Sequence, residues 1–444
     1  MQKTDLNAER KSMAKRLISL PVLSWALYDF ANTIFSSNIQ TIFFPFYLQE
    51  AVGTNEQLNQ IASSFISFAN AMASFLIVVF SPLYGVWIDR TKRKKLFLVP
   101  MTVLSVLFTF LMGIFADVSL SFTIFGIPFS LFLVIIFFVL AKFFYNSSLV
   151  FYDSMIADLG AKDEIPVISG FGVAVGYVGT LVGLSVYPFI EEGQYDEAFI
   201  PTACLFLMFS FPLFFFMKEQ TNQSKKRSTS SFFSGYRDIW KTFQEARRYR
   251  SLFMFMLAYF FLNDAIATAI AMMAVYAKAI VGFTSGQFIL LYLVSTVTSI
   301  IGSFLFGYIS KWIGSKRAVN AVGFLLLIAL FTGTFAFSEW MFWVAGGLFG
   351  VALGSMWVTT RTLIVELSPE NKRGQFFGLF AFSGKVSAIA GPFLYGTITW
   401  FLADYGNLAS RTAMGSLMIL VAIGLVFHRY VEDEVLNDKP NVPI

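Results

Sequence analysis

Apolar residues run through this chain in long unbroken stretches, not in alternating or narrowly amphipathic patterns. Crossing the hydrocarbon core of a bilayer takes about 20 such residues. Twelve stretches reach that length: 21–48, 58–82, 96–116, 127–152, 167–190, 198–217, 251–279, 286–309, 318–337, 340–365, 375–402 and 409–428. Their continuity argues against a β-barrel, whose strands read as alternating segments of about ten residues. One long polar stretch, 218–250, separates the sixth run from the seventh. The pattern predicts an all-α membrane protein with twelve transmembrane helices in two six-helix bundles. The expected organisation is a cytoplasmic tail (1–20), a first bundle (21–217), a cytoplasmic linker (218–250), a second bundle (251–428) and a cytoplasmic tail (429–444).

Composition narrows the class. Hydrophobic residues make up 57% of the 444 and charged residues 13%, against about a quarter charged in soluble domains. A soluble enzyme, a disordered scaffold and a disulfide-stapled secreted domain all fit badly. Cys204 is the single cysteine, so no intrachain disulfide or cysteine-based metal site can form; it reads as lipid- or core-facing. The single histidine, His428, ends the last apolar run and reads as a cation near a helix C-terminus. No zinc-ligand spacing and no Walker loop is present, so the expectation is no enzyme activity, no metal and no cofactor. Residues 1–20 are polar and basic, with no cleavable leader pattern.

The net charge of +5 is explained by where the charges lie. With the N-terminus in the cytoplasm, all but four of the 32 Lys and Arg fall on the cytoplasmic side; the four are Lys142, Lys278, Lys385 and Arg411. The opposite loops carry acids such as Glu191, Glu192, Asp196 and Glu197. This positive-inside bias places both termini in the cytoplasm and calls for no nucleic-acid partner. Within the linker, 218–231 is Ser/Lys-rich and reads as flexible. Residues 232–250 set Phe232, Tyr236, Ile239, Trp240 and Phe243 on one helical face. That predicts an amphipathic helix, lying on the inner leaflet or packed under the bundle.

The halves repeat. A shift of 208 aligns Ile156 with Ile364, Asp158 with Glu366, Gly170 with Gly378, Gly176 with Gly384 and Gly183 with Gly391. A shift of 222 aligns the segment 85–95 with 307–317. Paired six-helix halves are an architecture of secondary transporters, which bind substrate near mid-membrane. Glycines at every fourth position (Gly346, Gly350, Gly354; Gly172, Gly176; Gly179, Gly183) suit close helix packing. Trp25, Trp340 and Trp400 sit near span ends as interface anchors.

Gly85, Asp89, Arg90, Arg93 and Lys94 follow the pattern G-x-x-x-D-R-x-G-R-[RK], with Lys92 in place of the second glycine. This resembles the loop between helices two and three of the major facilitator superfamily. Glycine permits a tight turn or a close helix approach, and the charges can pair with a helix terminus or with acids. The resemblance implies that Gly85, Asp89, Arg90 and Arg93 form a conformational latch joining the halves on the cytoplasmic side. The second copy carries Lys311 where the first has Asp89. Two further segments, 25–35 (WALYDFANTIF) and 259–265 (YFFLNDA), together with 169–179, resemble the branch that includes the fungal vacuolar amino-acid effluxers; Ala265 departs from its usual Asn-Asp-Gly.

Ionisable residues inside spans are costly and mark cavities or ion paths. Asp29 falls in the first span, Lys142 in the fourth, Asp264 in the seventh, Arg361 at the inner end of the tenth and Lys385 in the eleventh. The superfamily resemblance implies that helices one, four, seven and ten line the central cavity. Asp29 and Asp264 each open D-x-x-x-T and read as possible repeat mates, with Asp264 deeper. Asp264 is the candidate proton carrier, with pairing to Lys142 or Lys385 as the alternative; Asp29 reads as an ion pair near the inner end. Asn32, Asn146 and Asn263 could orient a polar ligand or serve helix-to-helix hydrogen bonds. Charges of both signs suit a zwitterion or a small anion.

These residues point to a secondary active transporter of a small solute. The branch resemblance implies an amino acid or related metabolite, in the export direction. The expected setting is a bacterial plasma membrane, with a monomer working by alternating access and coupled to a proton gradient. The alternatives are an exporter of lipophilic drugs or lipids, and a non-transporting receptor or scaffold.

Overall fold

The computed structural model describes residues 13, 15–52, 56–91, 93–116, 118, 123–124, 127–161, 163–191, 193–217, 244, 249–283, 285–402, 405 and 407–432. The predicted linker helix over 232–250 lies almost wholly outside the described residues.

The fold is nearly all helix. The first span is α1 (Leu20–Phe35), a π-helical segment (Ser36–Phe43) and α2 (Phe44–Val52). Then follow α3 (Glu56–Thr91), α4 (Lys95–Ala116), α5 (Phe129–Met155), α6 (Ile165–Leu184) and α7 (Phe199–Phe216). The second half comprises α8 (Arg250–Val281), α9 (Ser285–Ile313), α10 (Ser315–Thr334), α11 (Glu339–Leu367), α12 (Arg373–Phe401) and α13 (Asn407–Arg429). Among the described residues, nine helical stretches are long and apolar enough to cross a membrane. The strands there are β1 (Thr123–Ile124) and β2 (Ile127–Pro128), an antiparallel pair between α4 and α5.

Hydrophobic composition alone cannot hold helices together in lipid, so small residues and polar contacts do it. The seam between α9 and α11 shows how. A Cβ on Gly354 would collide with the Ser299 carbonyl oxygen and lie 3.0 Å from the Ser299 Cα, so a larger residue has no space. Ser295 and Ser299 donate to the Gly346 and Gly350 carbonyls at 2.8 and 2.7 Å. The fourth-residue glycines thus pack helices, as their spacing predicts.

The chain divides into two compact units. The first comprises Met1–Ser81, Thr91–Leu159 and Val175–Lys225; the second comprises Pro82–Arg90, Gly160–Ala174 and Lys226–Ile444. The first unit has an aromatic core: Phe35, Phe43, Phe44, Phe138 and Phe206 are fully buried. Phe44 and Phe138 stack with ring centres 3.6 Å apart. In the second unit, a Cβ on Gly170 would come 2.6 Å from the Ser303 carbonyl.

Several sequence readings are corrected. α3 continues to Thr91, so Gly85 and Asp89 sit on a helix, not in a loop. Trp25 is no interface anchor: it is fully buried, stacks on Tyr152 at 4.9 Å and donates to the Tyr152 carbonyl at 3.3 Å. Trp340 is 68% exposed, as an anchor requires, while the Trp400 side chain lies outside the described residues. His428 lies in the last turn of α13, the helix-end position read from the sequence. Its ring is fully buried, with Nε2 2.9 Å from the Lys316 carbonyl, joining α13 to the start of α10. Cys204 is exposed on α7, the lipid-facing alternative.

Candidate functional site

The sequence-predicted residues fall into a cluster in each unit and a segment at the end of α3. The clearest geometry lies where α8 meets α12. Asn263 and Asp264 are adjacent on α8 and buried, at 8% and 1% exposure. Asn263 Nδ2 donates to the Gly384 carbonyl at 2.8 Å and to the Ser387 hydroxyl at 2.9 Å. That amide is a strut between helices. Tyr259 lies against the same glycine and stacks on Phe380 at 4.1 Å.

Asp264 is different. Its Oδ1 accepts the Gly391 backbone N–H at 2.8 Å. It has no cationic partner among the described residues. Neither Lys385 on α12 nor Arg361 on α11, both half-buried, forms an ion pair with it. Within the second unit, the pairing of Asp264 with Lys385, held open from sequence, is therefore not what the structure shows. One turn along, the Thr268 hydroxyl is fully buried and has no partner. Gly391 makes this closeness possible, since a Cβ there would sit 2.5 Å from Asp264 Oδ1 and would also strike the Thr268 hydroxyl. Sequence reasoning placed Gly391 in the repeat without seeing its role. The available signal was the Gly391-Pro392 pair inside an apolar helix, a place where the backbone ladder is weakened.

In the first unit the cluster lies on α1, α5 and α6. Asp29 is buried, and a Cβ on Gly176 of α6 would lie 3.2 Å from its Cγ. Thr33 donates to the Gly176 carbonyl and to the Phe30 carbonyl, the latter at 3.0 Å. Asn38, in the π-helical segment, donates to the Gly183 carbonyl at 2.8 Å and to Thr202 at 3.1 Å. π-helical turns gather at functional sites, and this one carries the first span's polar run. Asn32 is 1% exposed, and both atoms of its amide lack a hydrogen-bond partner. On α5, Lys142 Nζ donates to Asn70 and sits 5.9 Å from the Phe138 ring centre, while Asn146 Nδ2 caps the Lys142 carbonyl at 2.9 Å.

These contacts also test the repeat. Asp29 meets Gly176, whose counterpart is Gly384; Asp264 meets Gly391, whose counterpart is Gly183. The two aspartates thus occupy different heights of equivalent seams and are not structural mates. The D-x-x-x-T match aligns them by sequence alone.

The latch segment is brought to α12. A Cβ on Gly85 would stand 2.5 Å from the Gly374 carbonyl, so the glycine lets α3 touch the first turn of α12 within the second unit. The Asp89 side chain lies outside the described residues. Arg90 and Arg93 are exposed. Beyond Arg93, Lys94 Nζ pairs with Asp158 at 2.6 Å and reaches the Ser154 carbonyl at 2.8 Å, tying the start of α4 to the end of α5. In the second half, Glu366, the counterpart of Asp158, accepts from the Ser315 hydroxyl at 2.7 Å.

Comparison with known proteins supplies a family. The family model described as "Vacuole effluxer Atg22 like" matches residues 56–435. The uncharacterized MFS-type transporter YxiO of Bacillus subtilis (strain 168) is 24% identical over 94% of this chain and 95% of its own. Autophagy-related protein 22-1 of Aspergillus niger is 21% identical over 58% of this chain, which spans 46% of that longer relative. Among solved structures, the human organic anion transporter MFSD10 (TETRAN) superposes with a TM-score of 0.69 at 13% identity, covering 94% of this chain and 99% of the other.

Proposed function

This chain belongs to the vacuole effluxer Atg22-like family of the major facilitator superfamily, and on that premise we propose that it exports amino acids or closely related small polar solutes, driven by a proton gradient. The coarse function, membrane transport by a multi-pass protein of this superfamily, comes with the family and the fold. The solute, direction and coupling ion are our reading. So are the bacterial plasma membrane, cytoplasmic termini, a monomeric state, the absence of enzyme activity and alternating access between two conformations.

One observation carries the coupling. Asp264 is closed to solvent within an apolar helix and faces no cation. A buried charge is retained at high cost unless it is paired or used. A carboxylate held by one backbone N–H, with its second oxygen uncommitted, can take up and release a coupling proton. The polar set on α1 and α5, with Asp29, Asn32, Lys142 and Asn146, supplies both charge signs and an uncommitted amide. That set suits a zwitterion better than a lipophilic drug.

The test is efflux from proteoliposomes. Vesicles holding the full-length protein are loaded with a panel of labelled amino acids, and release is followed with and without an inward proton gradient. Gradient-dependent release of one chemical class, abolished by Asp264→Asn, is the expected result. Transport of lipophilic dyes or phospholipid with no amino-acid flux would replace this reading with the drug or lipid exporter. No flux of any probe, with ligand binding retained, would favour a receptor.

A further inference from the structure

The seam between α8 and α12 holds more oxygen ligands than a proton carrier needs. Protonation requires the Asp264 carboxylate alone. Beside it the Thr268 hydroxyl, fully buried, donates to nothing and accepts from nothing among the described residues. Both oxygens crowd the same face of Gly391. The adjacent backbone is weakened as well. The Gly391 N–H is committed to Asp264, and Pro392 has no N–H, so the Ala388 carbonyl has no donor four residues on.

The set is oxygen-only, carries a single negative charge and is shut off from solvent. Hard cations take oxygen ligands of this kind: carboxylate, hydroxyl and backbone carbonyl. Soft or borderline metals call for thiolate or imidazole, and no group of three His, Cys, Asp or Glu able to hold a metal occurs among the described residues. One carboxylate balances one unit of positive charge. Side chains 1% and 0% exposed admit a bare ion, not a solute.

We propose that Asp264 and Thr268, facing Gly391 across the seam, form a sodium seat, so that sodium can occupy the coupling position in place of a proton. This rests on the reading of Asp264 as the coupling-ion residue and names a second ion for it.

The test is the thermal stability of the purified full-length protein in sodium chloride against equal choline and potassium chloride. A ion that binds only the folded protein raises its melting temperature. The expected result is a sodium-specific rise of several degrees, kept in Thr268→Ser and lost in Thr268→Val and Asp264→Asn. Equal melting in sodium and choline, or an undiminished rise in Thr268→Val, overturns the proposal. If a variant fails to fold, binding of radioactive sodium to the unmodified protein decides: saturable binding displaced by lithium but not potassium supports the seat, and none refutes it. The two readings fail separately. If sodium has no effect while Asp264→Asn still abolishes proton-driven flux, only the sodium seat falls. If Asp264→Asn removes the sodium rise but leaves proton-driven flux intact, only the proton reading falls.

Discussion

The α1/α6 seam of the first unit and the α8/α12 seam of the second are built from the same parts and finished differently. Each sets an aspartate, and a threonine one turn later, against a glycine of the opposing helix. In the first, Thr33 ties the helices by donating across the seam to the Gly176 carbonyl. In the second, Thr268 donates to nothing, and the cross-seam bond runs from the Gly391 N–H to Asp264. Asn38 and Asn263 play matching roles, each a buried amide bridging to a glycine carbonyl at 2.8 Å. Amides and one threonine therefore tie helices together, while Thr268 is left without a partner beside an aspartate held by a single backbone N–H. An unpartnered polar group in a low-dielectric interior is costly to stability, so the second seam is where chemistry is expected.

The sharpest break between the seams comes from neutralising each aspartate. Asp264→Asn is expected to abolish proton-driven flux with little loss of stability, because no buried cation loses its partner. Asp29→Asn should leave gradient coupling in place, as read by the same efflux assay. Next come the glycines. Gly391→Ala drives a methyl into Asp264 and Thr268, and overpacking of this kind costs about 1–3 kcal/mol. It should lower the melting temperature and stop transport together. Gly176→Ala meets the Asp29 Cγ at 3.2 Å, which a side-chain shift can relieve, so its effect should be clearly smaller. Asn263→Ala removes two cross-seam bonds, each worth about 0.5–1.5 kcal/mol, while the Ser387 hydroxyl keeps its bond to the Gly384 carbonyl, so a moderate loss of thermal stability is expected. The smallest effect belongs to Lys94→Ala. Its partner Asp158 is 40% exposed, and such pairs contribute about 0.2–1 kcal/mol, less in high salt.

Much of the fold was legible because lipid makes the pattern simple: an apolar run of sufficient length must be a helix when backbone groups have no water to bond. The runs at 96–116 and 127–152 fall within a few residues of α4 and α5. What the pattern could not show was backbone detail inside a run. The π-helical segment over Ser36–Phe43 is more polar than its neighbours, yet nothing in its pattern separates a π-turn from an α-turn, and α3 carries its polar end on to Thr91. The buried charges were legible one by one, because an ionisable residue stands out in an apolar span. Their partners were not. Asp264 is served by a glycine N–H 127 positions away, and no side-chain pattern announces a backbone donor. The same gap hid the real surroundings of Trp25 and His428, whose partners are the Tyr152 and Lys316 carbonyls.

The central claim is that Asp264 carries the coupling ion. The most direct measurement is internal pH in proteoliposomes, followed with a trapped dye while an exported amino acid is supplied, alongside exchange of that amino acid at equal concentrations. The account predicts that the unmodified protein moves protons with substrate, whereas Asp264→Asn exchanges substrate but moves no protons. Proton movement by Asp264→Asn equal to that of the unmodified protein would contradict it.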